Sequence, residues 1–425
     1  MRHVLRDCIG HPEGGQRMSL KKHPVIFILV TVFALYFCAE TVQAARIIIK
    51  PRVATSWQSD SNFFKAEIVE REVYTYLLQP GIDLGFETAK TNLALSYTLN
   101  AYYYDDQDTV PAGEKDANED DYFGHTALFK ARHRLFDRLL IGLDESYMKT
   151  RDAADSDDLS NSVDRNKYTI NRVSPMLFYD FGEKFTAGLR YRNTETNYSE
   201  GTNEDSSEHR GIFDLIYNLT RTESLDLEYQ HWERSYDKTT SDYTSDQIAL
   251  IFRKQFQYAM LEVGGGYHER DFDQAGLDTI DTLAYRVALR FQNPPAPDAR
   301  PKTWLDLSAT MNFNDQGLAD SYYTAHRFSL DIGHIFLEKI KVSVGGYYQN
   351  SDYERETGLT QGGATEYRED DTYYVSLSVG YMFTDWLTLS LTAGYEERDS
   401  NLQGRDYDNE SIMAKLEFSH DLGGR

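Results

Sequence analysis

The segment Tyr373–Glu396 (YYVSLSVGYMFTDWLTLSLTAGYE) alternates with a period of two on both sides of a short turn. Tyr373, Val375, Leu377, Val379, Tyr381 and Phe383 fall on one face, and Tyr374, Ser376, Ser378, Gly380 and Met382 on the other. After Thr384-Asp385-Trp386, the residues Leu387, Leu389, Leu391, Ala393 and Tyr395 continue the apolar face opposite Thr388, Ser390, Thr392, Gly394 and Glu396. Such spacing predicts a β-hairpin rather than helix. The apolar face carries aromatics at its ends and aliphatics between them. A soluble sandwich would bury that face in a core, whereas a membrane barrel turns it to lipid and keeps the polar face wet.

The cycle recurs along the chain. Strands near 46–57, 74–86 and 93–103 are followed by an acidic loop, Asp105–Asp121. Strands near 122–136 and 138–149 flank Asp137, and the acidic loop 151–166 follows, with Asp152, Asp155, Asp157, Asp158 and Asp164. Pairs near 167–181/185–198, 208–221/223–236 and 243–255/257–271 come next. Strands near 280–292, 303–314, 321–336 and 340–350 lead into a loop over 351–369, the hairpin above, and a last strand at 408–418. Short turns and long acidic loops alternate. The pattern predicts an all-β, transmembrane, antiparallel up-and-down barrel of about eighteen strands, sixteen being the alternative. An even count puts both termini on the periplasmic side. A propeller or solenoid would show a fixed repeat, and none is visible.

Residues 1–44 read as a cleaved signal peptide. Lys21, Lys22 and His23 precede the apolar run Val25–Cys38, and Val42-Gln43-Ala44 suits a cut before Ala45. Met18 would give a conventional start, MSLKK. The expected mature unit is one barrel domain, 45–425. Both cysteines, Cys8 and Cys38, fall in the leader, so a mature disulfide or thiolate metal site is excluded. The net charge of −24 excludes nucleic acid as a partner. Mean hydropathy is −0.58, as alternating strands average out. The 31 tyrosines suit girdles with one apolar and one wet end.

The segments PRVATSWQSDSNFF (51–64) and YLLQPGIDLGF (76–86), with the strand-only body, resemble the outer-membrane family called beta-barrel porin type 2. The resemblance extends over the mature chain. It implies an outer-membrane location in a diderm bacterium and, from the exopolysaccharide-export setting of such proteins, a channel that passes a glycan. One departure is that SHDLGGR follows Phe418, where many such barrels end on an aromatic read by the barrel-assembly machinery.

With the lipid face fixed, Lys130, Arg132, Arg134, Arg190, Arg192, Arg253, Arg286 and Arg290 point inward, as do Asp214, Glu262 and Asp306. Two readings stay open: a charged constriction that selects solutes, or a wall zipped by cross-strand ion pairs. Inward Tyr102 and Tyr374 are candidate sugar-stacking surfaces. In the acidic loop, Asp116, Glu119, Asp120 and Asp121 are a candidate for a divalent cation bridging to lipopolysaccharide, although no EF-hand spacing is present. Histidines are scattered with no HExxH, and no serine sits in GxSxG, so neither cofactor nor enzymatic chemistry is expected. Three functions remain: passage of an exopolysaccharide or other hydrophilic solute, general diffusion, or a non-conducting structural or surface-binding barrel. Oligomeric state is left open.

Overall fold

The computed structural model describes residues 45–152, 165–201, 203–274, 276–294, 301–315, 322–360 and 362–422. The proposed leader and the acidic residues Asp155, Asp157, Asp158 and Asp164 lie outside them. The strands are β1 (Arg46–Asp60), β2 (Val73–Glu87), β3 (Thr91–Asp106), β4 (Tyr122–Leu135), β5 (Leu139–Thr150), β6 (Tyr168–Asp180), β7 (Phe185–Tyr198), β8 (Ser206–Asn218) and β9 (Glu223–Tyr236). They continue as β10 (Tyr243–Gln255), β11 (Ala259–Phe272), β12 (Ile280–Asn293), β13 (Thr303–Asp315), β14 (Tyr322–Phe336), β15 (Ile340–Leu359), β16 (Thr365–Thr384), β17 (Leu387–Ser400) and β18 (Tyr407–Ser419). Each pairs antiparallel with its sequence neighbours, and β1 pairs with β18, so the eighteen-stranded sheet closes on itself. Closure removes both edges and satisfies the backbone without water.

The register keeps one parity inside throughout. Directly paired residues share a face, so Arg52, Gly81, Thr98 and Thr126 form one inward row and Val53, Pro80 and Phe418 an outward one. The outward row is exposed and apolar: Val375, Leu377, Val379, Leu389 and Leu391 all stand clear of other protein. This is the exterior of a transmembrane barrel of the outer-membrane type, with lipid as the solvent for its apolar band. Among the described residues no helix is long and apolar enough to cross a membrane.

Both ends of the described chain lie at the short-turn rim, since Arg46 pairs with Glu87 and Ser419 with Arg52. Two of those turns are tight hairpins in which Phe136-Asp137 and Leu337-Glu338 take positive φ, the geometry of a type I′ turn. At Gly266 a Cβ would run into the Ile248 carbonyl oxygen, so only glycine lets β10 and β11 approach there.

The loop expected over 351–369 is different. β15 runs on to Leu359 and β16 begins at Thr365, with a register shift between Asp352 and Thr357. The hairpin extends beyond the apolar band. Both of its faces there are polar, so alternation gave no contrast, while cross-strand hydrogen bonds persist.

Candidate functional site: the barrel lumen

Period-two alternation puts every candidate lumen residue on the inward face. What the register adds is the partner of each. Arg190 on β7 grips Asp214 of β8 with two hydrogen bonds, 2.9 and 2.6 Å, and reaches Glu228 of β9 at 2.8 Å. Arg253 on β10 bridges Asp226 and Glu262, both at 2.7 Å, and Arg286 on β12 meets Glu262 at 2.8 Å. Asp214, Asp226 and Glu228 are buried beneath these guanidinium groups. Three arginines against four carboxylates leave this wall close to neutral. The zipped-wall reading therefore describes β7–β12. Arg192 also faces inward, opposite Arg210.

Elsewhere the pairs are looser. Arg132 meets Asp144 at 2.7 Å and Arg134 meets Asp180 at 3.1 Å, all partly exposed. Lys130 is exposed. Arg290 stands 3.8 Å from Asp306, and both are more than half exposed. Arg190→Ala is expected to destabilise the barrel by about 2–3 kcal/mol, because it strands two buried carboxylates. Arg290→Ala should cost little. Denaturant unfolding in lipid vesicles distinguishes them, and equal small losses would show that the wall is not zipped.

Among the described residues, two polar spaces stand out inside. One of about 860 Å³ lies toward the short turns, lined by Arg290, Trp304, Asp306, Asp331, Lys341 and Glu417. Lys341 Nζ lies 5.1 Å from the centre of the Trp304 ring. The other, about 440 Å³, has a neutral hydrogen-bonding wall of Gln79, Ser96, Thr98, Asn100 and Thr126 beside Tyr102. Arg52 donates to Ser96 at 2.8 Å and to Thr98 at 2.7 Å. Glu417 borders both spaces.

Toward the long loops the interior fills. Inward arginines lie on aromatic faces: Arg210 on Trp232 (4.1 Å), Arg270 on Tyr243 (4.0 Å), Arg327 on Tyr347 (3.8 Å) and Arg368 on Tyr353 (4.3 Å). Tyr102 stacks on Tyr122 with centroids 4.7 Å apart and on Tyr104 at 6.0 Å; Tyr374 stacks on Tyr347 at 5.4 Å. The tyrosines proposed for sugar stacking thus already stack on protein rings, Tyr102 on two and Tyr374 on one.

Loop 61–72 folds into this mouth. Phe63 is buried against Tyr104 and beneath the Arg165 guanidinium, 3.8 Å away. Lys65 Nζ donates to Glu396 of β17 at 2.6 Å, and Arg71 makes a buried ion pair with Asp106 of β3 at 2.7 Å. The loop therefore spans from β17 to β3 across the inner wall. Lys65, Arg71 and the mouth arginines were not among the sequence candidates. Arg210, Arg270, Arg368 and Arg398 carry the inward parity and were findable by it; the only signal for the loop was the Phe63-Phe64 pair in a polar connection.

The acidic candidates are largely engaged by protein. Asp116 accepts from Asn118 N at 3.0 Å, Asp120 binds Arg151 at 3.0 Å as well as Lys115, and Asp121 accepts from Tyr104 N at 2.8 Å. Among the described residues no grouping of His, Cys, Asp and Glu could hold a metal ion.

One loop carboxylate is tuned. Glu204 is buried, which would raise its pKa, but hydrogen bonds from Thr239 N and Oγ1, Thr240 N and Lys238 N override this and hold it below the usual carboxylate range. A lowered folded-state pKa contributes stability that is complete above the unfolded value, about 4.3, and is lost as pH falls through the folded one. Hydrogen-exchange protection of residues 238–240 is expected to hold at neutral pH and vanish in acid below that value. Protection that persists in acid would contradict this role.

Residues 260–420 match the family model described as "Putative beta-barrel porin 2". No curated protein matches the chain. Among solved structures, the chain is similar to Pseudomonas aeruginosa OpdK with vanillate, at 9% identity over 88% of this chain and 99% of that one, TM-score 0.47. It is similar to Acinetobacter baumannii OccAB4 at 10% identity, covering 88% and 98%, TM-score 0.47. Pseudomonas aeruginosa OccK1 (OpdK) gives 10% identity, 88% and 99%, TM-score 0.46.

Proposed function

We propose that this porin-like barrel is a passive channel for a hydrophilic solute across the outer membrane of a diderm bacterium. Its short turns and both termini face the periplasm, and its long acidic loops meet lipopolysaccharide. The observation that carries this reading is the polar interior, from the wall of Gln79, Asn100 and Thr126 to the mixed-charge vestibule around Arg290 and Asp306, the two spaces sharing Glu417. Because most wall arginines are matched by carboxylates, the channel selects weakly for ionic charge. Hydroxyl and amide groups beside aromatic rings suit an uncharged, hydroxyl-rich solute, so a glycan segment, such as that of an exopolysaccharide, is the favoured class. General diffusion is the second reading, favoured by the matched charges alone. No enzymatic step is assigned to the lumen.

Planar-bilayer recording tests this. Inserted, folded protein is expected to conduct with a reversal potential near zero in a salt gradient, and neutral oligosaccharides should block the current. Current without block favours general diffusion. No current removes both channel readings and leaves a structural barrel.

A further inference from the structure

Trp304 is an inward indole in a setting unlike that of the other lumen rings. Tyr102 and Tyr374 lie on protein rings, and Trp232 lies under the Arg210 guanidinium. Among the described residues no aromatic ring packs on Trp304. It is the second residue of β13, and its direct partner on β14 is Gly333. A Cβ at Gly333 would run into the indole carbons, so the ring lies against the β14 backbone in space that any other residue would fill. Trp304 Nε1 donates to Asp331 Oδ1, which fixes the orientation of the ring. The wall is one strand thick, so the side of the indole away from Gly333 looks into the space of about 860 Å³. That volume lies within the range of small-molecule sites, about 300–1,000 Å³. Lys341 Nζ is 5.1 Å from the ring centre, on an exposed side chain, and so stands beyond the ~4 Å of a carbon–carbon contact.

The charges beside this ring also differ from the clasped pairs of β7–β12. Arg290, Asp306, Asp331 and Lys341 are all exposed, and Asp306 and Asp331 stand directly opposite each other across β13 and β14. Like charges so placed weaken a sheet, and Arg290 answers Asp306 only from 3.8 Å. The arrangement costs the wall stability, whereas a ligand bearing hydroxyl donors would be held by it. We propose that Trp304 is the stacking platform of a neutral-saccharide subsite at the short-turn end of the lumen. A pyranose ring presents a face of C–H bonds with partial positive charge, which suits the negative face of an indole. Asp306 and Asp331 accept from vicinal hydroxyl groups in charge-assisted hydrogen bonds, and Arg290 donates to a sugar oxygen. Two cations, Arg290 and Lys341, against three carboxylates, Asp306, Asp331 and Glu417, disfavour an acidic sugar. The subsite rests on the glycan reading above and names the residues that hold the sugar.

Block of single-channel current by maltohexaose tests this, with an oligogalacturonate of the same length as the acidic comparison. Trp304→Leu keeps apolar bulk over Gly333 but has no π face, and it is expected to raise the dissociation constant for maltohexaose about tenfold. Trp304→Phe keeps a ring and should recover most of that loss. Trp386→Phe, which alters an indole packed on outward Phe418 at 5.4 Å, should be blocked as the parent is. Folding of each is checked by heat-modifiable migration, and Trp304→Ala stands in for Trp304→Leu if the latter does not insert. Block of the parent that Trp304→Leu leaves unchanged, or that Trp304→Phe weakens as far as Trp304→Leu does, would overturn the subsite while the glycan reading stands. Tighter block by oligogalacturonate would overturn the neutral class. A conducting parent that maltohexaose does not block would remove the glycan reading and the subsite with it.

Discussion

Replacing residues 63–69 by a short glycine linker is expected to raise unit conductance several-fold while the barrel still folds. The loop bears on conductance because its side chains occupy the mouth along the wall from β17 to β3. Phe63 fills space beside Tyr104, and Lys65 reaches Glu396 on the other side of the β1–β2 hairpin. None of these residues belongs to a strand, so cross-strand pairing is untouched. Arg71 should be retained, because removing it would leave Asp106 buried without its cation. Lys65→Ala alone should have a smaller effect, since Phe63 and Arg165 hold the loop's other end. Single-channel recording of both variants against the parent checks this. Unchanged conductance in a folded loop variant would place the narrowest point elsewhere, in the arginine–aromatic layer of the wall.

The second large effect concerns the exterior. Val379→Arg and Leu391→Arg should each destabilise the barrel by about 2–4 kcal/mol, the cost of a cation at the lipid midplane of a barrel. Val379 and Leu391 face each other across β16 and β17, well inside the aromatic ends of their strands. Ser378→Arg, one residue along, should cost far less, because its neighbours are Ser343 and Thr392 and its head group enters a wet interior. Unfolding by denaturant in lipid vesicles measures all three. A similar penalty at Ser378 would mean that the two faces do not differ in solvent.

Much of the architecture was legible because lipid imposes contrast on every strand. Where Leu389 alternates with Ser390 inside the band, period two is unambiguous; beyond it, in the segment 351–369, both faces are wet and the same structure left no trace in hydropathy. Inward arginines were legible by parity, but their partners were not. Arg190 finds Glu228 thirty-eight residues away, and that distance depends on the register of three strands. Whether a charged residue selects solutes or holds the wall is decided by such partners. The inward fold of loop 61–72 rests on buried Phe63, on Lys65 and on the Arg71–Asp106 pair, which the polar connection around them hid.

The most direct test is the solvent contrast along β16. Nitroxide labels placed singly at positions 375 to 380 in reconstituted protein are exposed to oxygen, which partitions into acyl chains, and to a water-soluble nickel chelate. Val375, Leu377 and Val379 should relax with oxygen, while Ser376, Ser378 and Gly380 should relax with nickel, in strict alternation. A uniform response along the six positions, or protection of the odd positions from both reagents, would mean that this face is packed against protein, and the barrel account would fail.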